Sequence, residues 1–333
     1  MTRYDVVVIG GSLAGAACAL CLERAGVDVV TFDRDRFPRE KVCGEFLSPG
    51  ALDCLRELDV FEDVVQAGAV PIDRGRIRSD GGDLDIPFPS PGMGFSRNKL
   101  DSILVRKAGV RYGCQVLKVV PERGGFVVRV HSADGATEDV VCDVVIDAAG
   151  KLSRFTQRRN TGRFGVQYHE ERDNGSVLDF EFFEGGYGGS VSVESGRTNS
   201  CFLVDRAHLD RFLEKDGCIV TGPVAYRRVG GEYLAIGDAA GMIDPFCGEG
   251  MRHAMDSGIL AARVVSSGHR NGMSYGDMRR AYESAWRSRW ARKRTVASGF
   301  RSILKRPWLG RKVFALGGRF PRLASVVVGE FWR

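Results

Sequence analysis

The sequence predicts an α/β protein with a second, strand-rich part interleaved into it. Three observations carry this. Residues 4–33 read as strand, helix, strand; 110–147 and 160–206 read as runs of short strands; and a glycine-rich loop at 237–250 leads into a long helical stretch. The 333 residues suit one large or two moderate domains, and 44% hydrophobic with 27% charged content is ordinary for a globular chain. Glycine, at 43 residues, is enriched, which implies many tight turns or close backbone approaches.

The elements follow in order. "YDVVVIG" is a buried strand of β-branched residues. "LAGAACALCLERAG" has helical apolar spacing and stops at Gly26, and "VDVVTFD" is the second strand. A loop at 34–50 precedes one helix over "ALDCLRELDVFEDVVQAG". Strand and turn fill 71–96, and "RNKLDSILVRKAG" reads as a helix. Gly124-Gly125 and Asp134-Gly135 suit hairpin turns within 110–147, and Ser195-Gly196 marks a turn within 160–206. "RAHLDRFLEKDG" is a short helix, "EYLAIGD" a strand-like run, and from about 274 the chain reads as aromatic and basic helices.

Charge is unevenly placed. From Trp286 onward many Lys and Arg face a single acid, Glu330, while the remainder is mildly acidic. This basic segment suits an anionic lipid surface or an acidic carrier protein, or helices whose apolar faces pack and whose charges are solvated. No recognition pattern for nucleic acid accompanies it. The nine scattered cysteines do not form a disulfide framework or a metal spacing. Cys18-x-x-Cys21 lies on a helix with no partner pair. No apolar run long enough to span a membrane and no signal-peptide pattern is present, so a cytoplasmic location is expected, with peripheral membrane contact through the basic segment.

The first chemical motif is the turn "GGSLAG". Gly10 and Gly15 stand where a dinucleotide fingerprint wants its first and third glycines, and Ser12 replaces the second. Serine leaves room for a pyrophosphate, and its hydroxyl is free to donate to it. The helix start at Leu13 and Ala14 offers N–H groups and a positive dipole end. Asp33, followed by Arg34, ends the second strand, where an acid accepts from a ribose hydroxyl and disfavours a 2′-phosphate.

The second motif is "GDAAGMIDPFCGEG". Together with the turn, Asp33 and "DAAGKLS" at 147–153, it makes the whole chain resemble the flavoproteins that include FAD-dependent aromatic hydroxylases and geranylgeranyl reductases. The resemblance implies a Rossmann-like FAD-binding domain (1–70, 97–155 and 225–273), a β-sheet substrate domain (71–96 and 156–224) and a basic helical segment (274–333). In such proteins the Asp after Gly237, here Asp238, holds the ribityl chain. The run Pro245, Gly248, Glu249, Gly250 and Met251 passes along the isoalloxazine ring. "FPREKVCGEFLSPGA" resembles the reductase branch, which places Cys43 and Gly44 near the flavin as catalytic candidates, and "SRNKLD" makes Arg97 a cofactor contact.

The resemblance further implies NAD(P)H as a transient electron donor and an apolar or polyketide-like small-molecule substrate. Hydroxylation is favoured, with reduction of carbon–carbon double bonds and membrane electron relay as alternatives. Two departures bear on this. The aromatic motif of the polyprenyl reductases is replaced in "YGGSVSVE", where Tyr187 remains but Gly189, Val191 and Ser192 stand elsewhere, and the tryptophan motif and lysine of the halogenases are not visible. His253 is a possible catalytic histidine or an ordinary helix residue, and Asp244 and Glu249 are candidates for tuning or proton transfer.

Overall fold

The structure is a computed structural model that describes residues 1–78, 84–159, 162–224, 227–243, 245–304 and 329. Strand β1 (Thr2–Ile9), helix α1 (Leu13–Arg24) and β2 (Val29–Asp33) form the opening unit. The short β3 (Phe46–Leu47) precedes α2 (Pro49–Glu57) and α3 (Phe61–Gln66). Sequence reading expects one helix here. The chain breaks it at Asp59, whose φ of 52° is the left-handed region that a short acidic side chain tolerates.

Strands β4 (Val70–Arg78) and β5 (Leu84–Gly94) then lead to α4 (Arg97–Lys107). The expected strand run follows as β6 (Arg111–Tyr112), β7 (Cys114–Glu122), β8 (Gly125–Ser132) and β9 (Thr137–Asp147). Next come β10 (Thr156–Arg159), β11 (Arg163–Glu170), β12 (Val177–Phe183), β13 (Gly186–Val193) and β14 (Arg197–Asp205). The chain closes with α5 (Asp210–Leu213), β15 (Ile219–Thr221), β16 (Arg227–Gly231), β17 (Leu234–Ala235), α6 (Gly250–Arg270) and α7 (Tyr275–Leu304).

Two large sheets result. The first has the order β6-β2-β1-β9-β8-β7, with β17 also on β9. Its β6, β2, β1, β9 and β17 run parallel, and β8 and β7 continue it as an antiparallel meander. The all-β-branched run of β1 is explained by burial on both faces. Val6 and Val8 pack with α1 and α6, and Val7 and Ile9 pack on the meander side. The second sheet has the order β15-β11-β14-β13-β12-β4-β5-β3. Phe46–Leu47 therefore lies in the second sheet, although the sequence assigns it to the first domain.

Small residues let α1 and α6 cross closely. Gly258 faces the Ala14 carbonyl oxygen and the Cys18 amide, and a Cβ at Gly237 would lie 2.9 Å from that of Ala14. Both helix N-termini are thereby brought to one cleft. On its outer side α6 is covered by α7, whose Met278, Tyr282, Trp286 and Trp290 are buried. Arg289 of α7 donates to both carboxylate oxygens of Asp256, at 2.6 and 2.7 Å. The described part of the basic segment thus packs an apolar face. Its remainder, and with it the expected lipid- or carrier-facing stretch, falls largely outside the described residues. Among the described residues no helix is long and apolar enough to cross a membrane.

Candidate functional site

Two clefts meet where the sheets adjoin. One is lined by Gly10, Phe32, Asp33, Arg34 and Arg39. The other is lined by Leu13, Ala14, Cys43, Gly44, Arg97 and the loop residues Gly237, Asp238, Pro245, Gly248, Gly250 and Met251. They share Ser12, Lys41, Ala148, Gly150 and Lys151, so they form one channel from the end of β2 to the start of α6. The first end presents ribose-sized polar groups. The second is a mostly apolar chamber under the second sheet, where Phe180, Tyr187 and Phe202 form a wall.

The glycine turn is built as its spacing predicts. Gly10 has φ 104° and sits against the Ala148 carbonyl, and a Cβ at Gly15 would collide with the Gly10 carbonyl oxygen. Gly15 is therefore a packing residue behind the channel. Asp33 is buried, with one carboxylate oxygen accepting from the Gly11 N–H (2.7 Å) and the other from the Asp35 N–H (2.9 Å). The same acid that faces the first cleft therefore also shapes the turn. Asp147, the acid of the third motif, is fully buried. It accepts from the Ala149 N–H (3.0 Å) and the Ser153 and Thr156 hydroxyls (2.7 Å each), which fixes the turn at Gly150.

Two expectations need correction, and one open choice is decided. The Ser12 hydroxyl is not free for a phosphate. It donates to Asp101 Oδ1 (2.9 Å) and accepts from Arg97 Nη2 (2.9 Å), because a buried carboxylate on α4 outcompetes open space. Glu249 does not face the chamber. It is buried, accepting on Oε2 from Lys293 Nζ (3.0 Å) and Arg252 Nη1 (3.2 Å). His253 is an ordinary helix histidine whose Nε2 accepts from Trp286 Nε1 (3.2 Å). Asp244 lies outside the described residues.

Arg97 is buried at the start of α4 and pairs with Asp101 at 2.9 Å. Burial works against its charge, but Asp101 outweighs this and holds the guanidinium above its ordinary value. Cys43 is held on a strap, residues 42–45, against the second sheet. Its N–H donates to Gln167 Oε1 (2.9 Å), and its carbonyl accepts from Asn199 Nδ2 (3.0 Å). Burial pushes the Cys43 thiol up, with Arg97 opposing, so it stays protonated at neutral pH.

Sequence reading missed three charged residues that tertiary contact brings in: Lys41, Lys151 and Glu45. Both lysines sit where the clefts join. Burial lowers Lys41, with Arg97 adding and Asp238 opposing, and burial lowers Lys151 to about 8. Each lies inside a recognised motif, "REKVCGE" and "DAAGKLS", and only the position within those motifs hinted at it.

This arrangement fits a flavin dinucleotide. The channel runs from an acid to an apolar chamber past two desolvated lysines and a helix N-terminus. Cβ atoms at Gly44 and Gly250 would meet no protein atom within 4 Å, so both glycines leave open room in the chamber wall. The fold and site define an FAD-dependent oxidoreductase of the aromatic-hydroxylase-like α/β architecture. Over residues 3–180 the chain matches the FAD binding domain family, and it belongs to that family.

Its relatives in sequence include reductases and halogenases. The menaquinone reductase of Mycolicibacterium smegmatis is 28% identical over 92% of this chain and 86% of its own. Digeranylgeranylglycerophospholipid reductase 2 of Methanothermobacter thermautotrophicus is 27% identical over 91% and 88%. The p-nitrophenol 4-monooxygenase of Pseudomonas putida superposes with a TM-score of 0.80 at 16% identity over 99% of this chain and 98% of its own, which is a likeness of fold.

A prediction follows from Lys151. An anionic pyrophosphate held beside it would raise its pKa again, so FAD binding near pH 8.5 is expected to take up roughly half to one proton. Calorimetric titration in two buffers of different ionisation enthalpy measures this. Equal heats in both buffers would show that Lys151 does not sense the cofactor.

Proposed function

We propose that the protein reduces a carbon–carbon double bond in an apolar, isoprenoid-like molecule, with FAD as cofactor and NAD(P)H as donor. One observation carries the reading: a protonated thiol, Cys43, is pinned in an apolar chamber opposite the Pro245–Gly250 loop. Bound FAD supplies the hydride, which its carrier coenzyme replenishes. Arg97, Lys41, Lys151, Asp33, Arg34 and the N-terminus of α1 bind and orient it in this reading. Asp238 and the loop glycines lie along its length, and Gly10 and Gly15 keep the turn tight. The aromatic wall excludes water from the chamber. Cys43 gives its proton to the carbon next to the one that receives the hydride: the S–H bond breaks, a C–H bond forms, and the thiolate is reprotonated from solvent once the product leaves the chamber. The two reductase relatives support reduction over hydroxylation, which the sequence had favoured.

Hydroxylation is the second reading, favoured by the aromatic cluster of Phe180, Phe182, Tyr187 and Phe246, with ring centroids 5.5–6.0 Å from that of Phe246. The deciding experiment incubates the FAD-loaded protein with NADH or NADPH and a menaquinone or geranylgeranyl substrate, under argon and in air. A product formed under argon that stays heavier by two hydrogens after air reoxidises any quinol is the expected result. A product gaining oxygen, formed in air alone, would replace this reading with the second.

A further inference from the structure

Glu45 is an unusual residue. It has φ 53°, is fully buried, and commits both carboxylate oxygens. Oε1 accepts from the backbone N–H of Arg97 (2.8 Å), the first residue of α4. Oε2 meets His169 Nε2 (2.8 Å). Its own N–H donates to Cys43 Sγ (3.4 Å), and its carbonyl accepts from the Phe95 N–H (2.9 Å). A carboxylate removed from water needs compensating donors and charge. Here they come from a helix N-terminus and from an imidazole on β11 whose side chain is 20% exposed.

The second sheet presents this imidazole by its two-residue period. Gln167 pairs with Cys201 and His169 with Asn199 across β11 and β14, so all four stand on one face. Gln167 and Asn199 hold the Cys43 peptide, and His169 holds Glu45. The strap is thus fastened to the sheet by three polar side chains in a row, and only His169 among them titrates near neutrality.

We propose that His169 is a positioning residue for the chamber: its protonation, transmitted through Glu45, sets the acidity of the Cys43 thiol. This rests on the reductase reading for its use in turnover, but not for the device itself. A neutral imidazole still donates Nε2–H to Glu45, so deprotonation leaves the bond and removes a positive charge. The buried carboxylate then acts undiminished on Cys43, and the thiol becomes harder to ionise. The groups facing His169 are Glu45, Glu40 and Arg197; those facing Cys43 are Arg97, Glu45, Lys151 and Cys201. The Glu45 bond holds His169 above its ordinary value, so the change falls above the usual imidazole range.

The test follows alkylation of Cys43 by iodoacetamide in the FAD-loaded protein from pH 6 to 9, read by peptide mass so that Cys201 is separated. In the wild type the rate is expected to rise with pH, bend as His169 loses its proton, and run about tenfold below the line extrapolated from low pH, as a one-unit coupling gives. His169→Gln keeps an amide donor to Glu45 and should give a straight line. Glu45→Gln keeps an acceptor for the Arg97 N–H and should ionise the thiol more readily at every pH, again without a bend. A bend that persists unchanged in His169→Gln, or a wild type without one, overturns the inference. A bend in a protein that reduces no double bond keeps the inference and removes the reductase reading.

Discussion

Gly258→Ala is expected to destabilise the fold by about 1–3 kcal/mol and to strip FAD, even though alanine favours helix by about 1 kcal/mol over glycine. The new methyl would fall well inside contact distance of the Ala14 carbonyl oxygen, which is backbone and cannot rotate away. Relief requires α6 to move off α1. That separates the two helix N-termini whose proximity makes the channel. Gly276→Ala, on α7, is the control. Its methyl would meet nothing nearer than the end of the Arg280 side chain at 3.4 Å, so it should cost little. Urea midpoints and retained flavin absorbance measure both. A Gly258→Ala protein as stable and as yellow as the wild type would show that the helix crossing does not hold the channel.

Cys43→Ala is expected to lower double-bond reduction by roughly 10²–10³-fold, the usual contribution of a positioned acid. FAD binding and flavin reduction by NAD(P)H should stay within a factor of about two, since the strap is held by backbone bonds at residue 43 that alanine keeps. Unchanged reduction would remove Cys43 as the proton donor. Loss of flavin together with turnover would assign it a structural role.

The cofactor end of the site was legible from sequence because its requirements are local. A tight turn between strand and helix needs Gly10 and Gly15, and an acid at the end of the next strand lies near it by chain connectivity alone. Motif spacing likewise brought Asp238 and Gly250 to the channel. Residues with a second possible partner were read less well. Ser12 was expected to face a phosphate, yet Asp101, 89 positions later, accepts its hydrogen bond. Glu249 looked like a ring neighbour, yet Lys293 and Arg252 draw it away. A polar side chain bonds to whatever folding places nearest, and one sequence does not state which helix that will be.

The sequence by itself determined the α/β class, the strand–turn–helix that cradles a dinucleotide, the late glycine loop and the apolar face of α7, because each follows from residue periodicity or from the backbone freedom of glycine. The tertiary structure alone decided the crossing of α1 and α6 at Gly258, the split between α2 and α3, the two lysines at the junction of the clefts, and the His169–Glu45 pair beside Cys43. The His169–Glu45 pair alone joins residues 124 positions apart in the chain. These pairings exist because burial removes water as the competing partner and leaves each charge only the neighbours that packing supplies.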